Sequence, residues 1–185
     1  MCFYAGMDTG AVSRRLKALG VSPANQWMAD YWLSLCRAGV PPLYSSLDLC
    51  ELSDVLRYCS LIEVTPGKSL RIRIAGMALR LVLGDDVAGK DFLALTPAPQ
   101  RAQRLTRYSA VATGAIGVGR RKVLRPDGGM APIESVILPL ADVGPADLHL
   151  VLVHTDWRPE GQEWLGVDAT YVLTLVDEFH LVPLD

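Results

Sequence analysis

The sequence predicts an α+β domain, one mostly antiparallel sheet with helices on one face, preceded by N-terminal helices. Three observations predict it. Leu70, Ile72 and Ile74 alternate with Arg71 and Arg73, the period of a half-buried strand. Asp127–Gly128 separates two strand-like runs, a hairpin signal. Between these two strand groups lie glycine-bounded segments of helical character, so the order is two strands, a helical crossing, then three strands.

Taken in order, residues 1–22 read as an N-terminal extension with a helix from about Ser13 to Gly20. Ser22–Pro23 then starts a firmer helix, because a serine N-cap is followed by proline where no amide donor is needed. Trp27, Met28, Tyr31, Trp32 and Leu35 recur at helical spacing until Gly39–Val40–Pro41–Pro42 stops the run. A further helix is expected over Leu47–Tyr58, capped by Asp48 with Glu51 three residues later. Leu61–Val64 is a strand, and Thr65–Pro66–Gly67–Lys68 has proline and glycine where a type II turn wants them. Residues 61–75 are therefore a hairpin. Gly76 leads into a short apolar helix, Met77–Leu83, closed by Gly84. Asp85–Lys90 is turn-rich, and a longer helix runs from about Ala98 to Thr113. Strands follow at Ile116–Leu124, Ala131–Leu140 and Leu148–His154, joined by an Arg125–Gly129 turn and an Asp142–Asp147 loop. Trp157–Val167 is loop-like. Tyr171–Val182 is apolar enough to return to the sheet edge or to make a dimer contact. The organisation expected is an extension at 1–22, a domain with leading helices at 23–156, and a C-terminal extension at 157–185.

Composition narrows the classes of function. Half of the 185 residues are hydrophobic and mean hydropathy is +0.24, ample for a core and too apolar for a disordered chain. The richest apolar stretch, Ile133–Val153, is interrupted by Pro139, Asp142, Gly144, Pro145 and Asp147, so no membrane span is expected. Met1–Gly10 lacks the pattern of a signal peptide, which argues for the cytoplasm. With 18 basic and 20 acidic residues, nothing in the charge calls for nucleic acid or an anionic membrane as partner. Cys2, Cys36, Cys50 and Cys59 form no Cys-x-x-Cys pair, and the histidines lie far from them, so reduced thiols are expected and no metal site.

The chain resembles the PAS sensor superfamily, and more closely a small group of α-proteobacterial PAS-like proteins of unknown function. The residues that carry the likeness are Tyr31–Trp32, Leu47–Leu56, and above all Arg71-Ile-Arg-Ile-Ala-Gly76, continuing through Leu79 to Gly84-Asp-Asp-Val-Ala-Gly89-Lys90. It spans roughly 25–156. The resemblance implies a five-stranded antiparallel sheet and a cavity between the sheet and the short helices. The Asn–Cys pair of flavin photosensors, the haem-ligating histidine of the long helix and the chromophore cysteine of the yellow-protein type are not found. No prosthetic group is expected, and a diffusible ligand stays open.

Arg101, Arg104 and Arg107 stand three apart on the long helix, an anion site or, more commonly, a solvated face. Arg120–Arg121–Lys122 reads first as a charged, solvated strand edge. Gly117–Val118–Gly119 lacks the third glycine and the following helix of a dinucleotide loop. Asp85–Asp86 reads as a polar turn rather than a metal site. His149 and His154 are five apart on one strand, hence on opposite faces and unable to share a metal. His180 stands alone, and no nucleophile motif is present.

The functional expectation is a stand-alone sensing or binding module and not an enzyme, signalling through a small ligand, a protein partner or its own dimer state. The alternatives are a structural dimerisation protein without ligand or a cryptic hydrolase or transferase. The expected pocket residues are Ile72, Ile74, Met77, Leu81, Phe92, Tyr108, Ile137 and Leu152, with a small, mostly apolar ligand. Trp27, Tyr31 and Trp32 are either core or a homodimer interface.

Overall fold

The computed structural model describes residues 7–84, 86–124, 128–141, 147–157 and 172–184. Its centre is the expected pair of strand groups. β1 (Cys59–Thr65) and β2 (Ser69–Ile74) form the hairpin, and β3 (Ala115–Leu124), β4 (Met130–Leu140) and β5 (His149–Asp156) form the meander. β5 returns to pair with β1, and β6 (Val172–Pro183) pairs with β3, giving the order β2-β1-β5-β4-β3-β6, antiparallel throughout. The sheet thus has a sixth strand beyond the five the resemblance implies. The sheet-edge alternative for the C-terminal apolar run is the one realised. The proposed turn at 125–129, the loop at 142–147 and the loop at 157–167 fall wholly or partly outside the described residues, as do Cys2 and Asp85.

Strand alternation gives the sheet two apolar faces. On one, Leu61, Val118, Val136, Leu138 and Leu152 pack under α1 (Thr9–Ala18) and α2 (Pro23–Leu35). On the other, Ile62, Ile137, Val151 and Val153 pack under α4 (Arg101–Ala112) and Phe92. α3 (Met77–Leu83) adds Ala78 and Val82 to a third cluster with Val123, Ile133 and Trp157. The N-terminal helices therefore cover the face that α3 and α4 leave bare. Val12 and Leu16 of α1 are in the same core as α2. α1 starts earlier than the sequence suggests, because the Asp8 Oδ1 accepts from Ala11 N at 2.9 Å and so caps it.

The stretch 47–58 is a correction: it forms no regular helix but a run of turns ending in a short 3-10 helix, Leu56–Tyr58. Ser53, Val55 and Tyr58 donate to carbonyls three residues back, the tighter spacing of 3-10 geometry. Asp48 is held by one tertiary bond and a local turn instead of opening a regular helix. Its amide donates to the Tyr31 hydroxyl at 2.8 Å, and its carboxylate accepts from Cys50 N at 2.8 Å.

The expected Met77–Leu83 helix forms with those bounds, and Gly76 precedes it for a reason other than a turn. A Cβ there would collide with the Cys59 carbonyl oxygen and stand 2.9 Å from its carbon, so only glycine lets the two backbones meet. Among the described residues, no helix is long and apolar enough to cross a membrane.

Candidate functional site

Between the sheet and the helices α3 and α4 lies a small, partly open cavity of about 40 Å³. Ile62, Ala78, Leu79, Val82 and Val153 supply apolar wall, and Ser60, Ser135 and Thr155 supply hydroxyls. Each position follows from the pleat. Ser60 and Ile62 on β1, Ile133 and Ser135 on β4, and Val153 and Thr155 on β5 are two residues apart and so share a face. Ser60 Oγ accepts from Gly76 N at 3.0 Å, tying the start of α3 to β1. Ser135 and Thr155 share one hydrogen bond of 2.9 Å.

Phe92 and Tyr108, both expected in the pocket, line this cavity, edge to face with centroids 5.8 Å apart. Ile72 is buried in the same core, and Ile137 lines a neighbouring hollow under α4. Leu81 packs with the α3 cluster, and Met77 is half-buried. Two expectations are corrected. Ile74 is 45% exposed, because it ends β2 beyond the cover of α4. Leu152 faces α2, since its neighbours Val151 and Val153 hold the other face and a shift of one residue reverses the side.

The arginines depart most from expectation. On α4, Arg104 is buried, donates to Thr96 Oγ1 at 2.7 Å and lies 4.5 Å over the Phe92 ring. Arg107 lies 4.7 Å over the Phe179 ring. Arg101 is exposed and donates to Thr96 O at 2.9 Å. The solvated-face expectation thus holds for Arg101 alone. β3 is not an edge, because β6 covers it, so Arg120 and Arg121 are not edge charges. Arg121 lines this small cavity, the hollow under α4 and a wider cleft at the end of the sheet. Its Nε is buried and meets no acceptor among the described residues. A buried donor left unmatched costs about 1–3 kcal/mol, more when charged.

The open cleft is larger, about 470 Å³, but its central charges neutralise one another. Arg120 Nε donates to Glu134 Oε2 at 2.8 Å, and the same guanidinium lies 3.5 Å from Glu178. Glu134 Oε1 also accepts from Ser22 N at 2.7 Å and Asn25 Nδ2 at 3.0 Å. Burial pushes the Glu134 carboxyl upward, but these hydrogen bonds and Arg120 outweigh it and hold it below its ordinary value. Because Asn25 donates to Glu134, its Oδ1 is left to accept from His154 Nδ1 at 2.7 Å. Burial lowers the His154 pKa to about 4, against a small opposing pull from Asp156. This is a chain of satisfied groups that docks α2 on the sheet.

Trp32 is fully buried and donates to Pro139 O at 2.7 Å, and Tyr31 is 6% exposed. Both serve the core. Trp27 is 42% exposed and stacks on Tyr31 at 5.8 Å. Among the described residues, no cluster of three His, Cys, Asp or Glu could hold a metal. Burial raises the Cys36 and Cys59 thiols to about 12, so neither is a ready nucleophile.

A family model described as PAS domain matches residues 21–150. The chain belongs to the PAS domain family. Two of the solved structures similar to it are from Haloarcula marismortui. One is a domain of an HTR-like protein from Haloarcula marismortui ATCC 43049, 13% identical, covering 52% of this chain and 96% of that one, with a TM-score of 0.34. The other is the PAS domain of an HTR-like protein from Haloarcula marismortui, 16% identical, covering 58% and 98%, with a TM-score of 0.33. No curated protein matches.

The residue that sequence reasoning missed in this PAS domain is Arg121. Its signal was the alternation of β3. Gly117, Gly119, Arg121 and Val123 share a face, and Val123 is fully buried. The Arg121 Nη2 lies 3.6 Å from where a Cβ on Gly119 would stand, an ordinary contact distance.

Proposed function

We propose that this PAS domain is a cytoplasmic sensing module that takes a small molecule into the cavity between the sheet and α3 and α4. The observation that carries the reading is the cavity itself. It combines an aliphatic wall from Ile62, Ala78 and Val82 with polar groups from Ser60, Ser135 and Thr155, the mixture that fixes a ligand's orientation. A second observation supports a response to filling. α3 forms one wall and runs from Gly76, locked against β1, to Gly84 at φ +95°, a conformation open to glycine.

The output passes to a protein partner or to a second copy of the chain. Trp27 favours the second copy, since a large aromatic left on the surface is common at interface centres.

Filling the cavity is the test. In Ala78→Trp the indole would occupy the space between α3 and the sheet. A thermal-shift screen of small organic molecules, neutral and charged, is expected to give hits with the natural chain and none with the variant. A natural chain indifferent to the whole panel would sink the sensing reading.

A further inference from the structure

We propose that the ligand of this cavity is a small aliphatic carboxylate, bound by Arg121. This rests on the sensing reading above and names its ligand class.

Arg121 and Arg120 are neighbours on β3 with opposite circumstances. Arg120 takes Glu134 and Glu178 and donates to Leu19 O at 2.6 Å. Arg121 has a buried Nε with no acceptor among the described residues, and among those residues no Asp or Glu lines this cavity or the hollow under α4. Buried donors in native proteins are almost always matched, so a charged one left over asks for an acceptor from outside.

The hydroxyls point the same way. Ser60 Oγ already accepts from Gly76 N, so its own proton is left to donate. The Ser135–Thr155 pair uses one proton between them and leaves the other. A ligand that only accepts, as an ionised carboxylate does, meets each of these donors. The planar guanidinium also matches a carboxylate in a two-point contact.

The rest of the cavity is aliphatic, so the ligand needs an apolar tail. At about 40 Å³ the space corresponds to roughly three waters, at 10–15 Å³ each by the same measure. That suits a chain of about two to four carbons. Inorganic phosphate would meet the arginine but leave Ala78, Val82 and Val153 against a charged surface. Arg121 also borders the open cleft.

The test titrates the full chain calorimetrically with sodium butyrate, n-butyramide and sodium phosphate. Butyrate is expected to bind at least tenfold more tightly than butyramide, its neutral counterpart of similar shape, and more tightly than phosphate. Arg121→Gln should bring butyrate down to the level of butyramide, with Arg121→Lys between. Equal binding of butyrate and butyramide, or a preference that survives Arg121→Gln, overturns the carboxylate while leaving the sensing cavity standing. Phosphate binding as tightly as butyrate overturns the class of ligand. Failure of the natural chain to bind any of the three overturns the carboxylate, and the broader screen then decides the cavity. Should Arg121→Gln not fold, the ratio of butyrate to butyramide in the natural chain decides alone.

Discussion

His154 is 2% exposed and donates its Nδ1 proton to Asn25, which in turn donates to Glu134. Its pKa falls from 6.5 to about 4 on folding, chiefly through burial. A depressed folded value means the folded state resists protonation, so its contribution is complete above pH 6.5 and is lost as pH falls towards 4. A difference of this size is worth about 3 kcal/mol once the ring must be charged. Urea unfolding of the natural chain should therefore weaken steadily as pH falls from 6.5 towards about 4. His154→Gln can still donate to Asn25 and should flatten that slope. Parallel slopes would mean that the ring titrates freely. The residue scale was legible where alternation decides a face, as for His149 and His154. It was not legible at Arg121, because a charged triplet on a strand reads as surface until the partner strand is known.

Gly117 and Gly119 show how an element can be misread by motif and understood by packing. Neither cradles a nucleotide. A Cβ on Gly117 would stand 2.8 Å from Phe179 Cζ and 2.9 Å from Val111 Cγ2, so glycine lets β3 pass beneath α4 with the Phe179 ring between them. Gly117→Ala should cost about 1–3 kcal/mol by overpacking, since side chains can yield a little. Gly76→Ala should cost more, because its obstacle is the Cys59 backbone, which cannot turn aside. Thermal unfolding of the two variants checks the ranking, and the reverse order would contradict the packing argument. The hairpin, α3, α4 and the meander were legible from period and turn residues. The 47–58 stretch was not, because Asp, Ser and Glu that can cap a helix can equally bond their own turns. Tertiary anchoring of Asp48 to Tyr31 selected the turns.

At the scale of the molecule, the two strands, helical crossing and meander were legible in chain order, and the pairing of β5 with β1 was not. The sixth strand and the second covered face needed contacts between distant segments. Those contacts also divide the aromatic cluster of α2. Tyr31 and Trp32 are spent on the core, so any pairing of two copies through this helix must rest on Trp27. Leu49 at 56% exposure and Tyr44 at 41% lie on the segment that Asp48 pins to Tyr31. A buried tryptophan at an interface centre is typically worth about 2 kcal/mol or more, which is a factor of about thirty in affinity. Light scattering coupled to size exclusion should therefore find a dimer for the natural chain. In Trp27→Ser the dimer dissociation constant should rise by at least tenfold, with the unfolding temperature of the monomer nearly unchanged, because the ring is already half in solvent. A natural chain that stays monomeric at high concentration removes pairing as the output and leaves a separate protein partner to carry the signal.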